Sequence, residues 1–322
     1  MAMFGKESEN TIGLQLQNDS IQNGLFSTAT RQRLSTTRSD HIAERSAGIY
    51  FENNTRWTDT IRTVAGLRED FYRFNVGSDN PANSGKASDS IASPKLSLIF
   101  GPWAKTEYYF NVGAGFHSND ARGTTIAVDP VSGAAVDRVP PLVRSKGAEL
   151  GMRIEIIPGL QSSLALYQLD FDSELVFVGD VGTTEAGRPS RRVGFEFNNY
   201  YKATNWLTID ADLAFARARF RDVDPAGRRI PGAVEGVASI ALAVDKIGPY
   251  FGALQLRYFG PRPLIEDNSV RSKGPQRSTA ALAIRSTRRH GLNWKVLISR
   301  TARIRQSTTI MLPVSPMNRP AS

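Results

Sequence analysis

Apolar and polar residues alternate along most of this chain with a period of two. Between positions 148 and 156 every second residue is apolar, and the residues between them are Glu149, Gly151, Arg153 and Glu155. The same alternation recurs around 165–177 and 207–215. Successive side chains of a strand point to opposite faces, so each segment has one apolar and one polar face. The pattern predicts a β-barrel with lipid outside and water inside.

The alternation predicts an all-β, antiparallel transmembrane barrel fragment of about fourteen strands. In chain order the predicted strands are Thr11–Asn18, Leu25–Ser35, Ala43–Asn54, Thr60–Asn75, Ile91–Phe100, Thr106–His117, Arg144–Ile157, Leu160–Val178, Arg191–Lys202, Leu207–Phe220, Val234–Val244, Tyr250–Phe259, Arg277–Arg285 and Leu292–Ser299. The connections alternate between short turns and long polar loops, the longest of which covers 118–143. In outer-membrane barrels the short turns are periplasmic and the long loops are extracellular.

Two sets of residues follow from this barrel hypothesis. All four tryptophans lie in or beside the predicted short turns and would form an aromatic girdle at one membrane interface: Trp57, Trp103, Trp206 and Trp294. An anchoring aromatic in an ordinary turn is the alternative interpretation. Charged residues of the polar faces are expected to face the lumen: Glu149, Arg153, Glu155, Asp170, Asp172 and Glu174.

Composition narrows the class of protein further. The chain has 322 residues, a net charge of +9 and a mean hydropathy of −0.30. It contains no run of about 20 apolar residues, which excludes a transmembrane helix but not a barrel, because half of a barrel's strand positions are polar. Cysteine is absent, which excludes disulfides and cysteine-ligated metals. The positive charge is concentrated after Asp267, where no acidic residue occurs, and no aromatic–basic platform accompanies it. A nucleic-acid partner is therefore not expected.

Catalytic chemistry is not indicated by the sequence. The three histidines lie in unrelated segments, and no zinc-protease, nucleophile-elbow, phosphate-loop or dinucleotide motif occurs. No nucleophile–base pair can be identified, so we expect neither an enzyme nor a cofactor or metal site.

Several segments resemble one family closely. The run SPKLSLIFGPW at 93–103 leads into TEYYFNVGAGFHSNDARG at 106–123, and RSKGAELG follows at 144–151. These segments resemble the barrel of TonB-dependent outer-membrane receptors, and the similarity extends from about Thr11 to Trp294. The resemblance implies an outer-membrane location and, in the intact parent, TonB-dependent uptake of a scarce nutrient such as an iron chelate or cobalamin. Family members hold an N-terminal plug inside a barrel of about 22 strands.

The sequence departs from the family pattern at both ends. The first ten residues are polar without an apolar signal region, and no plug or TonB box is identified. Residues 1–299 are therefore interpreted as a partial barrel that is not competent for transport alone. Its expected partners are outer-membrane lipid and, as one possibility, a separately encoded N-terminal half. Residues 300–322 lose the alternation and are interpreted as an irregular, frameshifted tail. The alternatives are a passive outer-membrane channel and a soluble β-rich binding protein with its apolar faces in a core.

Overall fold

The computed structural model describes the backbone of residues 2–3, 5–178, 183–248, 250–272, 274, 276–284, 294–302 and 309–310. Its strands are β1 (Ala2–Met3), β2 (Lys6–Ala29), β3 (Gln32–Thr58), β4 (Ile61–Ser78), β5 (Gly85–Trp103), β6 (Thr106–Ser118), β7 (Leu142–Ile154), β8 (Leu160–Phe171), β9 (Leu175–Val178), β10 (Thr183–Ala186), β11 (Ser190–Lys202), β12 (Leu207–Phe220), β13 (Gly236–Ile247), β14 (Tyr250–Phe259), β15 (Gln276–Ile284), β16 (Trp294–Ala302) and β17 (Thr309–Ile310). Two short helices lie in loops, a 3₁₀ turn at Pro81–Asn83 and α1 at Ala121–Thr125. No helix among these residues is long and apolar enough to cross a membrane.

Fifteen strands form a single antiparallel sheet in which chain neighbours are sheet neighbours. The exception is the hairpin β9–β10, which stands apart in the connection from β8 to β11. The sheet is open within the described residues, with β1 and β17 at its edges. The all-β antiparallel fold expected from the alternation is confirmed.

The connections separate the two ends of the sheet. At one end, here called the turn end, lie the short connections 59–60, 104–105, 155–159, 203–206 and 248–249. At the other end, the loop end, lie 79–84, 119–141, 172–189, 221–235 and 260–275. The loop end also holds the two-residue turn at 30–31, where both residues have positive φ as in type I′ hairpins.

Several predicted boundaries are wrong at the loop end. The predicted strands Thr11–Asn18 and Leu25–Ser35 are not two separate strands. Residues 32–35 already belong to β3, and residues 11–29 belong to one long strand, β2, which passes through the polar residues 19–24. That stretch has turn composition, but its backbone pairs with β3 from Asp19–Glu44 to Gly24–Ser39, and this pairing outweighs the local preference. Similarly, the predicted loop at 77–90 shrinks to 79–84, and the predicted strand Leu160–Val178 divides into β8 and β9. The predicted irregular tail covers residues 300–322. Of these, residues 303–308 and 311–322 lie outside the described residues.

The register across the sheet defines two distinct faces. One rung of directly opposed residues on six adjacent strands is Leu98, Phe110, Leu150, Leu166, Phe195 and Phe215. The rung beside it, one residue along each strand, is Ser97, Asn111, Glu149, Tyr167, Gly194 and Ala216. We call the first the belt face and the second the polar face. Because opposed residues share a face, the apolar belt is continuous across the strands rather than a property of isolated segments.

The buried core lies on the polar face at the loop end. Ile42, Phe74 and Val76 pack there against Ala121 of α1, and Phe74 is 0% exposed. The connection 119–141 therefore folds over the polar face of β3–β5, whereas belt residues such as Leu150 remain exposed to the surroundings. A sheet that covers its polar face and exposes its apolar face has the inverse of the arrangement in a soluble β protein.

Candidate functional site

The predicted lumen residues Glu149 and Arg153 lie together on the polar face of β7. Glu149 accepts a hydrogen bond from Asn111 Nδ2 at 3.2 Å. Arg153 forms an ion pair with Glu107 at 3.0 Å and stacks over the Tyr109 ring at 5.0 Å. Each partner belongs to the adjacent strand β6, so cross-strand polar pairs order this face.

Asp170, by contrast, lies on the belt face. It is opposed to Lys146 and Arg191, and Arg191 Nε binds its carboxylate at 2.7 Å. Glu149 is opposed to Tyr167, so Glu149 and Asp170 project from opposite faces of the sheet. The single-face interpretation of the six charged residues is therefore corrected: it assumed that every charged position shares the polar face, but above the belt the belt face is charged as well.

The remaining members of that set lie outside the strands. Glu155 is in the turn after β7 and is exposed, and Asp172 is 3.5 Å from Arg221 just beyond β8. Glu174 follows in the same connection, where its carboxylate pairs with Arg192 at 2.7 Å. Arg192 stacks on the Phe171 ring at 4.9 Å, and both belong to the polar face. Glu174 is thus tied to the polar face although it is not part of a strand.

The tryptophans occupy one end of the sheet. Trp57 and Trp103 lie in the last residues of β3 and β5, Trp206 directly precedes β12, and Trp294 begins β16. All of these positions are at the turn end. The Trp57 indole donates to Thr63 Oγ1 at 2.8 Å, and Trp103 is half exposed beside Tyr108. The side chain of Trp294 lies outside the described residues. The placement agrees with the geometry that a girdle requires, and the girdle itself stays a prediction.

At the loop end, a network of hydrogen bonds fixes the connection 119–141. Asp120 caps α1 by accepting from the Arg122 backbone at 2.9 Å, and its carboxylate also holds the Arg122 guanidinium at 2.6 Å. Asn119 Nδ2 donates to the Pro140 carbonyl at 2.7 Å and closes the base of the loop. Asn83 bridges from the neighbouring connection, where its Oδ1 accepts from the backbone of Ala127 and Val128. The SNDARG segment, on which the family resemblance partly rests, therefore has a structural role in closing this loop.

A buried ion pair lies beneath the same loop. Arg38 Nε binds Asp40 Oδ2 at 2.5 Å, and their side chains are 2% and 0% exposed. Arg38 Nη2 and Asp40 Oδ1 have no hydrogen-bond partner among the described residues. The charges of Arg38 and Asp40 also act on Asp120 and Arg122, so four charged groups of alternating sign meet where β3 contacts the loop.

Ion pairs also link the three later loops. Arg188 contacts Asp222 at 2.8 Å and Glu266 at 2.5 Å, and thereby joins the connections 172–189, 221–235 and 260–275. Glu235 binds Arg271 at 2.5 Å and adds a second link between the last two. Hydrogen bonds from Arg188 are the main cause of the lowered pKa of Asp222. Sequence reasoning missed these residues, because their partners lie on separate loops and no local motif marks them.

The pKa of Asp120 makes the loop 119–141 sensitive to acid. Burial opposes the charged carboxylate, but the hydrogen bonds and charge of Arg122 outweigh burial, so the pKa of Asp120 lies below its ordinary value. A lowered folded-state pKa stabilises the loop above the unfolded pKa of about 3.9, and this stabilisation is lost as pH falls through the folded value. We expect hydrogen exchange of residues 121–127, corrected for intrinsic rates, to accelerate in that acidic window. Asp120→Asn, which retains a capping side chain, should remove this pH dependence; an unchanged profile would contradict the assignment.

In the described part of the chain, no group of three or more histidine or carboxylate side chains converges in a way that could hold a metal ion. What the geometry provides is a two-faced sheet with interlinked loops at one end. Such a sheet can bind a ligand among its loops. Its polar face can line an interior that is filled with water or with another part of the protein.

Comparisons with known proteins agree with this architecture. A family model described as "TonB dependent receptor-like, beta-barrel" matches residues 2–289. No curated protein matches the sequence significantly. The ferric yersiniabactin uptake receptor FyuA from Yersinia pestis superposes with a TM-score of 0.70 at 17% identity, covering 91% of this chain and 46% of that one. The ferric-catecholate import receptor Fiu from E. coli K12 gives 0.68 at 13% identity, covering 93% and 48%.

A copper transporter shares the same fold. The copper transporter OprC superposes with a TM-score of 0.66 at 16% identity, covering 91% of this chain and 48% of that one. This chain thus spans about half the length of the solved structures that it matches. Because the family model covers most of the sequence, the chain belongs to the TonB-dependent receptor β-barrel family.

Proposed function

We propose that this chain is the barrel portion of an outer-membrane receptor that takes up a scarce nutrient, such as an iron chelate or cobalamin. The observation that carries the proposal is the continuous apolar belt on one face of a sheet whose long loops are tied together at one end. The names of the solved relatives cite ferric catecholate, ferric yersiniabactin and copper, which favours a metal or metal chelate as ligand.

In this proposal the belt face contacts lipid. The polar face, which carries Glu149 and Arg153, lines the lumen. The turn end is periplasmic, where the tryptophans form the girdle, and the loop end is extracellular. Strand length supports this orientation: β2 and β3 have 24 and 27 residues, whereas about 9–11 cross a bilayer. Their excess length extends beyond the belt at the loop end, as a wall around a ligand-binding mouth would.

We propose that energy coupling lies outside the described residues. All of these belong to the sheet and its connections, so the plug expected from the resemblance is not among them. We propose that the sheet alone does not transport actively, and that in the intact receptor TonB supplies the energy. Among the described residues the outer edge of β2 pairs only with β1, at Lys6 and Glu7. Lipid does not tolerate such an edge, so further strands, for example from a separately encoded N-terminal half, would complete the barrel.

A soluble β-rich binding protein is the alternative of a different class. It would have to bury the belt against another layer, yet Ile12, Leu14 and Leu16 on β2 are 76, 68 and 71% exposed. A passive channel would result if the sheet closed on itself without a plug. The family consists of transport receptors, and we propose no enzymatic activity.

The test has two arms. The chain is produced with an export signal in E. coli, and its resistance to alkaline carbonate extraction from outer membranes is measured. The extracted protein in micelles is then titrated with a ferric catecholate, ferric citrate, cobalamin and Cu²⁺, and tryptophan quenching is recorded. We expect integral membrane behaviour and saturable binding of one probe that weakens in Arg188→Met, which unlinks three loops. A monomer soluble without detergent would overturn the membrane proposal, and binding of no probe would overturn the receptor proposal.

A further inference from the structure

The belt face changes from apolar to cationic towards the loop end. The apolar rung containing Leu166, Phe195 and Phe215 is followed on the same face, one side chain further along each strand, by Gln168, Val193 and Arg217. The next rung contains Lys146, Asp170, Arg191 and Arg219. Consecutive rungs on one face are about 6.6–6.8 Å apart, so the transition from apolar to basic takes place within one or two rungs.

The same transition occurs on the earlier strands. Arg45 and Arg73 are directly opposed on the belt face of β3 and β4, and Lys86 of β5 lies beside them. These three residues line a cleft of about 340 Å³. We call the whole set the basic band: Arg45, Arg73, Lys86, Lys146, Arg191, Arg217 and Arg219. Its members lie on β3, β4, β5, β7, β11 and β12, beside the apolar belt on the side of the loop end.

A large cleft lies within this band. It has a volume of about 770 Å³ and opens on the belt face of β11 and β12. Five arginines line it: Arg191, Arg217, Arg219, Arg221 and Arg228. Arg191, Arg217 and Arg219 reach it from the belt face, and Arg221 and Arg228 reach it from the connection after β12.

Carboxylates do not balance these arginines. Asp170 pairs with Arg191 at 2.7 Å, and Arg221 approaches Asp170 and Asp172 at 3.9 and 3.5 Å. Arg217 and Arg219 form no ion pair with a carboxylate among the described residues. The charge of Glu235 acts on Arg219, but Glu235 is already paired with Arg229 and Arg271. The Nε of Arg219 is buried without a hydrogen-bond acceptor there. Several guanidinium groups around one cleft, one of them with an unsatisfied buried donor, favour an anion with several oxygens, which phosphate supplies in a geometry that arginine matches.

The floor of the cleft indicates what the phosphate is attached to. Leu166, Phe195 and Phe215 line it, and the two phenylalanine rings stack at 6.1 Å. This floor is continuous with the apolar belt through Leu150 and Phe110. A free phosphate or a sugar phosphate would leave the apolar floor uncovered, whereas an acyl chain would lie along it while its headgroup meets the arginines.

We infer that this cleft binds the phosphate headgroup of an anionic lipid of the surrounding membrane leaflet, with the acyl chains on the belt below. The inference rests on the proposed function, because it requires the belt face to contact lipid. Arg217 and Arg219 are the principal phosphate ligands, and the rest of the basic band extends the same preference around the barrel wall.

The test compares two lipids that differ only in phosphate. The chain folded in neutral detergent micelles is mixed with dioleoyl phosphatidic acid or with dioleoylglycerol, and bound lipid is counted by native mass spectrometry. We expect phosphatidic acid to bind at least about tenfold more tightly than dioleoylglycerol, and Arg217→Gln/Arg219→Gln to abolish the difference. Inorganic phosphate at equal concentration should not compete.

The control variant is Arg31→Gln/Arg138→Gln. Both residues are exposed at the loop end, so this pair removes the same charge from the same end without touching the cleft. Its preference for phosphatidic acid should match that of the unaltered chain. Equal loss in both variants, equal binding of the two lipids, or competition by inorganic phosphate would each overturn the lipid site. If the chain does not enter micelles at all, the proposed membrane placement fails instead, and the two failures are distinguishable.

Discussion

Leu213→Arg should destabilise the folded protein in lipid by about 2–4 kcal/mol, the cost of placing an arginine near the middle of the hydrocarbon layer. Leu213 lies on the belt face of β12 between Phe197 and Ala238, and its side chain is 44% exposed. In the membrane that exposed surface contacts acyl chains, which cannot hydrate a guanidinium. The measurement is urea-induced unfolding of the chain in vesicles, followed by tryptophan fluorescence.

The neighbouring substitution Ala214→Arg is the matched control. Ala214 projects from the polar face and is opposed to Glu196, which can pair with the new guanidinium. We expect a change of less than about 1 kcal/mol there, as for an exposed ion pair. A soluble protein would give a different outcome, because replacing an exposed leucine by arginine usually changes stability by within about 0.5 kcal/mol. Equal, small effects of the two substitutions would contradict the membrane placement of the belt.

Asp40→Ala should cost about 3–5 kcal/mol of folding stability, because it leaves the Arg38 guanidinium buried without its partner. The loss of stability should appear in the same urea titration. The loop 119–141 should open as well, because its residues Asp120 and Arg122 interact electrostatically with Arg38 and Asp40. Replacing both members with apolar residues, Arg38→Met/Asp40→Leu, should restore most of the loss, since two desolvated charges are then removed together.

The ion pair between Glu52 and Lys95 is the exposed counterpart with which the substitutions at Arg38 and Asp40 are compared. Its side chains are 35% and 56% exposed on the same polar face, so Glu52→Ala should cost less than about 1 kcal/mol. If Asp40→Ala were as mild as Glu52→Ala, the Arg38–Asp40 pair would not be desolvated. A double variant no better than Asp40→Ala would show that the site needs polar groups rather than apolar filling.

Local alternation predicted the strands well wherever both faces are uniform. β12 begins and ends as predicted at Leu207 and Phe220, and β6 and β11 differ from their predictions by one residue. These strands include the apolar belt, where one face is uniformly apolar and the other is polar, so the period of two is clear. The prediction failed at 19–24, where β2 rises above the belt, because both faces there are polar and the alternation carries no signal.

The site was less accessible from sequence than the fold. The tryptophans could be assigned to the turn end from sequence, because the short turns of an antiparallel meander lie at one end of the sheet and residues beside them lie there too. Asp170 was assigned to the wrong face, since its face depends on which residue of β7 it opposes. The pairs joining Arg188 to Asp222 and Glu266 span up to 78 residues of chain and have no local signature.

The sequence by itself thus determined the strand period, the antiparallel meander, the end occupied by the short turns and the family. These properties are local, because side-chain alternation and turn chemistry depend on neighbours along the chain. Only the tertiary structure decided the register, and with it the face of each charge, the burial of Arg38 with Asp40 and the grouping of arginines on the belt face. Register is a property of backbone pairing between strands, and a shift of one residue would exchange every side chain between the belt face and the polar face.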